Sequence, residues 1–130
     1  MRAIFLDVEN NECKIVDIVD DLNVYYNMLN CRIVEMPERR IGPFNRYFNT
    51  ICDEEGLLKE DPKPSAVDDN GKPVLFGNLL ITNVNDDGDV CGLSVEDCEY
   101  IVQFIQPSVI MNKKTKAISS RLLLTQCKSY

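Results

Sequence analysis

Within ten positions the chain places Arg39, Arg40, Phe44, Arg46, Tyr47 and Phe48, the two side-chain types that together hold a nucleotide. Guanidinium forks pair with phosphate oxygens, and aromatic faces stack on a base. Gly42-Pro43 between them would let a ligand approach the main chain closely. No phosphate-binding glycine loop accompanies the cluster. The same residues therefore also fit an exposed strand edge kept soluble by arginine, with its aromatics in the core.

Carboxylates form the second constellation. Asp53, Glu54 and Glu55 precede Gly56, and Asp86, Asp87 and Asp89 surround Gly88. A protein that imitates DNA needs carboxylates at spacings near those of duplex phosphates, about 1.7 Å of axis per charge. These two turns are thus the candidate contacts of an acidic decoy for a basic host protein. Each also fits simple turn chemistry, because acidic residues and glycine recur where a chain reverses. Asn83, Asn85, Asp87 and Gly88 match the first half of a calcium loop. Position twelve, which should be a bidentate glutamate, is Ser94. A hairpin turn is the expected reading, and no metal is expected.

The chain has no histidine. That removes Ser-His and Cys-His pairs, the usual general base near neutral pH, and the commonest zinc ligand. The six cysteines (Cys13, Cys31, Cys52, Cys91, Cys98 and Cys127) include no Cys-x-x-Cys pair and lie mostly in apolar segments. They read as reduced core thiols in a cytosolic chain. A carboxylate-metal enzyme remains conceivable, but nothing positive argues for it. A non-enzymatic protein with no cofactor is expected.

At 130 residues, 45% of them apolar, the chain is long enough for one domain around one core. The net charge of −7 is unevenly spread. Residues 112–130 hold five of the 14 basic side chains and no acidic one, leaving residues 1–111 with nine basic against 21 acidic, a net of −12. A body that acidic repels nucleic acid, which argues against direct binding of duplex DNA, and favours basic protein partners. No apolar run reaches the roughly 18 residues that cross a membrane. Asp7 interrupts the first apolar stretch too early for a signal peptide, so a cytoplasmic location is expected. Self-association stays open.

The elements that must position these residues follow from periodicity. Arg2 to Val8 alternates as a strand with Ile4, Leu6 and Val8 on one face. Asn10-Asn11 turns the chain, and Cys13 to Val19 returns with Val16 and Ile18 inward. Asp20 or Asp21 caps a helix running through Asn30, its buried face made of Leu22, Tyr25, Tyr26 and Leu29. Cys31 to Met36 is a strand ended by Pro37, residues 38–46 a loop or edge hairpin, and Tyr47 to Cys52 another strand. Gly56 is expected to supply a positive φ. Residues 59–73, with Pro62 and Pro64, read as an irregular loop that cannot join a central strand, closed by the Asp69-Asn70-Gly71 turn. Val74 to Val84 reads as one long strand, with a bulge or a close backbone approach at Gly77. Ser94 and Asp97 form a capping box for a helix that buries Val95, Cys98, Ile101, Val102 and Ile105 and stops before Pro107. Beyond it, Val109–Met111 and Ala117-Ile118 suggest a hairpin around Asn112–Thr115, while Arg121–Leu124 also fits a helical turn. The sum is α+β: one domain, a mostly antiparallel sheet, and two helices packed on one face.

The order of Cys52-Asp53-Glu54-Glu55-Gly56-Leu57-Leu58, the proline-rich loop, Leu75-Phe76-Gly77-Asn78, the acidic turn, and Leu93-Ser94-Val95-Glu96-Asp97 with its helix resembles a family catalogued as domain of unknown function 3846. Met1 to Val8 looks like that family's opening strand. The resemblance covers roughly residues 1–106, leaving 107–130 as a basic C-terminal extension. It implies a small cytosolic accessory protein carried by phages or mobile elements of Firmicutes-like bacteria, and it supplies no catalytic residues. The expectation is a binding protein, acting in counter-defence, that sequesters a small nucleotide signal or a host protein. Arg39 through Phe48 is its expected contact.

Overall fold

The computed structural model describes residues 1–111 and 117–127, with side chains for residues 1–106. Eleven strands lie in it: β1 (Arg2–Asp7), β2 (Glu12–Asp17), β3 (Val34–Glu35), β4 (Glu38–Ile41), β5 (Tyr47–Asp53), β6 (Pro64–Val67), β7 (Pro73–Phe76), β8 (Leu79–Val84), β9 (Val90–Cys91), β10 (Ile105–Met111) and β11 (Ala117–Cys127). Two helices, α1 (Leu22–Leu29) and α2 (Val95–Val102), complete it with a 3-10 turn at Gly56–Leu58. The strands follow the order β2-β1-β8-β5-β4-β11-β6-β7, with β3 beside β5, β9 beside β8 and β10 beside β11. Every pairing is antiparallel except β11 with β6. The fold is α+β, as expected.

Register shows why alternate residues separate two cores. Ile4, Ile81 and Thr50 stand opposite one another, and so do Phe5, Leu80 and Ile51. One face collects Ile4, Leu6, Phe48, Cys52, Leu79 and Ile81, with Leu75, Ala66 and Ile41 from the far strands and Cys98 and Ile101 from α2. The other collects Ala3, Ile51 and Leu80 with Tyr25 and Leu29 of α1. The two helices therefore pack against opposite faces, not the same one. A strand buried on both sides presents apolar residues to both layers, so its sequence does not reveal which helix lies where. Each fully buried Ile or Leu stabilises by about 1.5–3 kcal/mol, so both layers contribute substantially.

Local signals place the helices well. Asp21 caps α1 through Asn23 N–H, and Asn30 ends it in the left-handed region at φ 51°. Ser94 and Asp97 form the full capping box of α2. The breadth of each apolar stripe was overstated. Leu22, Val95 and Val102 are exposed, because each helix has only eight residues and buries just two of them. Ile105 belongs to β10, three residues past the end of α2.

Four strand expectations change. Residues 38–41 form β4 inside the sheet, between β5 and β11, so the arginine segment is not an edge. The 59–73 stretch contains β6, flanked by β11 and β7. Pro64 is its first residue, where a missing N–H is tolerated. The run from Val74 to Val84 is two strands in different places. Gly77, at φ +84°, lies in the break between them, and Asn78 then accepts from Val8 N–H and donates to the Met28 carbonyl, tying β1 and α1 together. The strand expected over Cys31–Met36 shortens to Val34–Glu35. Gly56 does not have a positive φ; a Cβ there would lie 2.6 Å from the Phe76 carbonyl oxygen, so the constraint is close approach. At the C-terminal end, β10 pairs with β11 from Ile105↔Leu123 to Met111↔Ala117, and Arg121–Leu124 are strand. The turn expected at Asn112–Thr115 lies outside the described residues. β11 joins β4 to β6, so a strand from beyond residue 106 is built into the sheet.

Candidate functional site

The arginine and aromatic cluster does not converge on one surface. Arg39 stands opposite Phe48, and Arg40 opposite Tyr47, so the two guanidinium stems leave β4 on opposite faces. Arg39 is buried at 4% exposure on the α2 side. Arg40 is bonded to Asp69, 3.2 Å away in the β6–β7 turn. Arg46 reaches the other way: its Nη2 donates to Asp97 Oδ1 at 2.8 Å, and its guanidinium lies 4.0 Å from the Tyr100 ring centroid and 5.5 Å from that of Phe48. Phe44, Phe48 and Phe104 gather around Tyr100, whose hydroxyl donates to the Ile41 carbonyl at 2.6 Å. This is a structural clasp holding the β4–β5 hairpin onto α2. Of the three cations, Arg39 and Arg46 lie on the α2 side, the first buried and the second bound to Asp97, while Arg40 leaves the opposite face toward Asp69.

The acidic turns separate as well. Asp53, at 7% exposure, accepts from Glu55 N–H at 2.8 Å and pairs with Lys59 at 3.1 Å. Glu55 takes both fork nitrogens of Arg32, at 2.8 and 3.0 Å, which holds its carboxyl below the ordinary range. Glu54, Asp86, Asp87 and Asp89 are exposed. Cys52 faces Leu79 in the β5–β8 ladder, so the Asp53 turn and the Asp86–Asp89 turn sit at opposite ends of β8. At about 3.3 Å per residue they are more than roughly 20 Å apart. Neither strand between them carries a carboxylate before Asp53. In the second turn, Asn85 Oδ1 accepts from Asp87 and Asp89 N–H, both at 3.0 Å, and Gly88 takes φ +85°. The calcium-like residues form a hairpin turn closed by its own amides.

A different feature emerges where β5 and β8 part. Their pairing stops at Asn49↔Thr82. Beyond it Tyr47 and Phe48 stay with β4, while Asn83 and Val84 pair with β9. The divergence leaves a groove of about 490 Å³ lined by Met36, Glu38, Tyr47, Asn49, Val84 and Val90 among others. Alternation puts all six on the α1 side of the sheet, outside the cluster that α1 covers. Asn49 Nδ2 donates to Thr82 Oγ1 at 2.9 Å in the floor. Asn85 and Gly88 of the acidic turn form the rim. Of the residues singled out by sequence, Tyr47, Phe48, Asn83, Asn85 and Gly88 line this groove; Met36, Glu38, Asn49 and Val84 were missed. Their only signal was the count of residues past the last ladder pair, which requires the pairing to be known.

Burial sets three of the thiols, Cys31, Cys52 and Cys98, against ionisation. Burial pushes Cys52 well above the usual thiol range, with the Glu35 carboxylate adding to it, and burial likewise raises Cys31 and Cys98. Cys31, Cys52, Cys91 and Cys98 form no disulfide. No helix among the described residues is long and apolar enough to cross a membrane.

No curated protein and no solved structure matches the chain. A family model does: residues 1–106 match the domain of unknown function DUF3846, and the chain belongs to that family.

Proposed function

We propose that the protein acts by binding, not by catalysis, and that it sequesters a host protein presenting an extended segment of alternating basic and apolar residues. The observation that carries this reading is the groove between the diverging ends of β5 and β8. Met36 and Val84, 38% and 40% exposed, are apolar members of its lining. Tyr47 supplies an aromatic face for a cation, with Asn85 at the rim. Glu38 and the exposed Asp86, Asp87 and Asp89 make its surroundings anionic, in a chain of net −7. That field steers a basic segment in and repels phosphate, so a host protein is favoured over the small nucleotide. The two carboxylate turns lie too far apart for one continuous decoy surface, which disfavours DNA imitation. The setting, counter-defence by a phage or mobile element in the bacterial cytoplasm, comes from the family resemblance and is part of the proposal.

The test is an amide NMR titration with a short peptide alternating arginine or lysine with leucine or isoleucine, beside a glutamate-leucine control. Perturbations confined to Tyr47, Asn49, Val84 and Asn85, weakened by salt and about tenfold by Asp86→Asn/Asp87→Asn/Asp89→Asn, support the reading. Equal response to both peptides, or response elsewhere, overturns it. Silence with the peptide together with thermal stabilisation by a nucleotide would transfer the function to the small-ligand class; saturation a hundredfold above Kd corresponds to about 2.7 kcal/mol.

A further inference from the structure

Two hairpin turns are built alike. Between β6 and β7, Asp68 N–H donates to the Lys72 carbonyl and Gly71 N–H to the Asp68 carbonyl, both at 2.9 Å. Asp68 Oδ1 accepts in turn from Asn70 and Lys72 N–H, again at 2.9 Å. Between β8 and β9, Asn85 takes the place of Asp68: its Oδ1 accepts from Asp87 and Asp89 N–H, and its carbonyl from Gly88 N–H, all at 3.0 Å. Each glycine has a positive φ, +78° at Gly71 and +85° at Gly88. What differs is the exposed residue before it, Asn70 in the first turn and Asp87 in the second. Asn70 is the only asparagine in the sequence that glycine follows. An asparagine so placed has a nucleophile as its neighbour, because no side chain shields the glycine nitrogen. No described atom lies within 4 Å of where a Cβ on Gly71 would stand.

We infer that Asn70 is a spontaneous modification site, converted to aspartate and isoaspartate at a rate set by opening of the Asp68 turn. The Gly71 nitrogen, its proton taken by hydroxide, attacks Cγ of Asn70. The Cγ–Nδ2 bond breaks, ammonia leaves, and a five-membered succinimide forms. Water then adds to one of the two succinimide carbonyls. Opening on one side gives aspartate, and on the other isoaspartate, in which the main chain runs through Cβ. One water enters and one ammonia leaves, so no other reactant is required. The closed turn restrains the step, because the attacking nitrogen has its N–H bound to the Asp68 carbonyl and Asp68 Oδ1 holds the Asn70 amide. Reaction therefore proceeds from the fraction of molecules in which the turn is open. Asp87, in the twin turn, converts more slowly, since a carboxylate is a far poorer acyl donor than a carboxamide. Either product places a carboxylate beside Asp68 and Asp69, taking the net charge from −7 to −7 − 1 = −8. Isoaspartate also adds a methylene to the main chain inside the turn whose Asp69 holds Arg40, so the bonds across the hairpin lose their register.

The experiment incubates the full chain at mildly alkaline pH and 37 °C for several weeks, folded and in urea, and maps its peptides by mass spectrometry with the isoaspartyl form resolved by chromatography. The folded parent should convert at Asn70 before any other asparagine, giving both products, and about tenfold or more slower than the chain in urea. Asp68→Ala, which removes the oxygen that closes the turn, should speed conversion at least threefold with its circular dichroism spectrum retained. Asp68→Asn copies Asn85 of the twin turn and should convert at the parent's rate. Gly71→Ala, whose methyl shields the attacking nitrogen, should slow conversion in urea as well, which isolates the chemistry from any effect on folding. Conversion of another asparagine first in the folded parent overturns the inference. So does aspartate without isoaspartate, or an intact Asn70 when the chain in urea is fully converted. A rate unchanged in both Asp68→Ala and urea overturns the control by the turn.

Discussion

Arg46 and Asp97 are 51 residues apart in sequence and meet at 2.8 Å, and the same carboxylate closes the capping box of α2. Oδ2 of Asp97 accepts from Ser94 N–H at 3.1 Å and faces Asn83 Nδ2 at 3.4 Å, while Oδ1 takes the guanidinium. One side chain thus starts a helix, pins the β4–β5 hairpin to it and contacts β8. Asp97→Ala should lower stability by about 1–2 kcal/mol, most of it from the cap, because the ion pair is partly exposed. A Tm drop of roughly 3–8 °C in a calorimetric scan would check it. A loss equal to that of Ser94→Ala alone would show that the Arg46 pair contributes nothing.

Glycines 56 and 77 should respond in opposite proportion to their backbone angles. Gly77 has φ +84° with open space around its missing side chain, so Gly77→Ala pays only conformational strain, about 1 kcal/mol, and Gly77→Asn less. Gly56 has ordinary φ, but a Cβ would press on the Phe76 carbonyl oxygen at 2.6 Å. Gly56→Ala should be the more damaging by denaturant midpoint, by more than about 1 kcal/mol.

Alkaline pH should destabilise the fold before acid does so through these groups. Burial and the Asp20 hydrogen bond raise Tyr25, and burial with Glu35 raises Cys52. A group raised in the folded state contributes stability that is complete below its unfolded pKa and declines as pH climbs toward the folded one. The decline should therefore begin near pH 9 for the thiol and near pH 10 for the phenol. Urea midpoints measured from pH 7 to 11 should fall across that window. Cys52→Ala should delay the onset, at a cost at neutral pH from the small void it leaves.

Asn78 should matter more than an Asn after a glycine usually does. It accepts from Val8 N–H at 3.0 Å and donates to the Met28 carbonyl at 3.3 Å, so its loss leaves a part-buried amide without a partner. Asn78→Ala should lose about 1–3 kcal/mol. Hydrogen exchange should speed up at Val8 and along α1; exchange unchanged at both would refute the bridging role.

Short-range chemistry was readable in the chain itself. Asp21, Asn30, Ser94, Gly71 and Gly88 act within four or five residues of their own positions, as Asp97 does in its cap, so these caps and turns were correctly placed, and the alternation of Ile4, Leu6 and Val8 marked a real strand. The same range explains the errors. Val74 to Val84 is mostly apolar around Gly77-Asn78 whether it forms one strand or two, and Pro64 looked prohibitive because its place at the start of β6 depends on which neighbour needs an N–H. Only tertiary pairing decided where the arginines went. Arg39 and Arg40 are adjacent in sequence, and the register of β4 against β5 sends one into the core and the other to Asp69. It also decided that α1 and α2 take opposite faces and that β5 and β8 part after Asn49 and Thr82. Composition determined an acidic α+β chain without histidine. The groove and the clasp around Tyr100 come from residues 33 to 59 positions apart, as in Asn49–Thr82 and Ile41–Tyr100, whose juxtaposition no local propensity encodes.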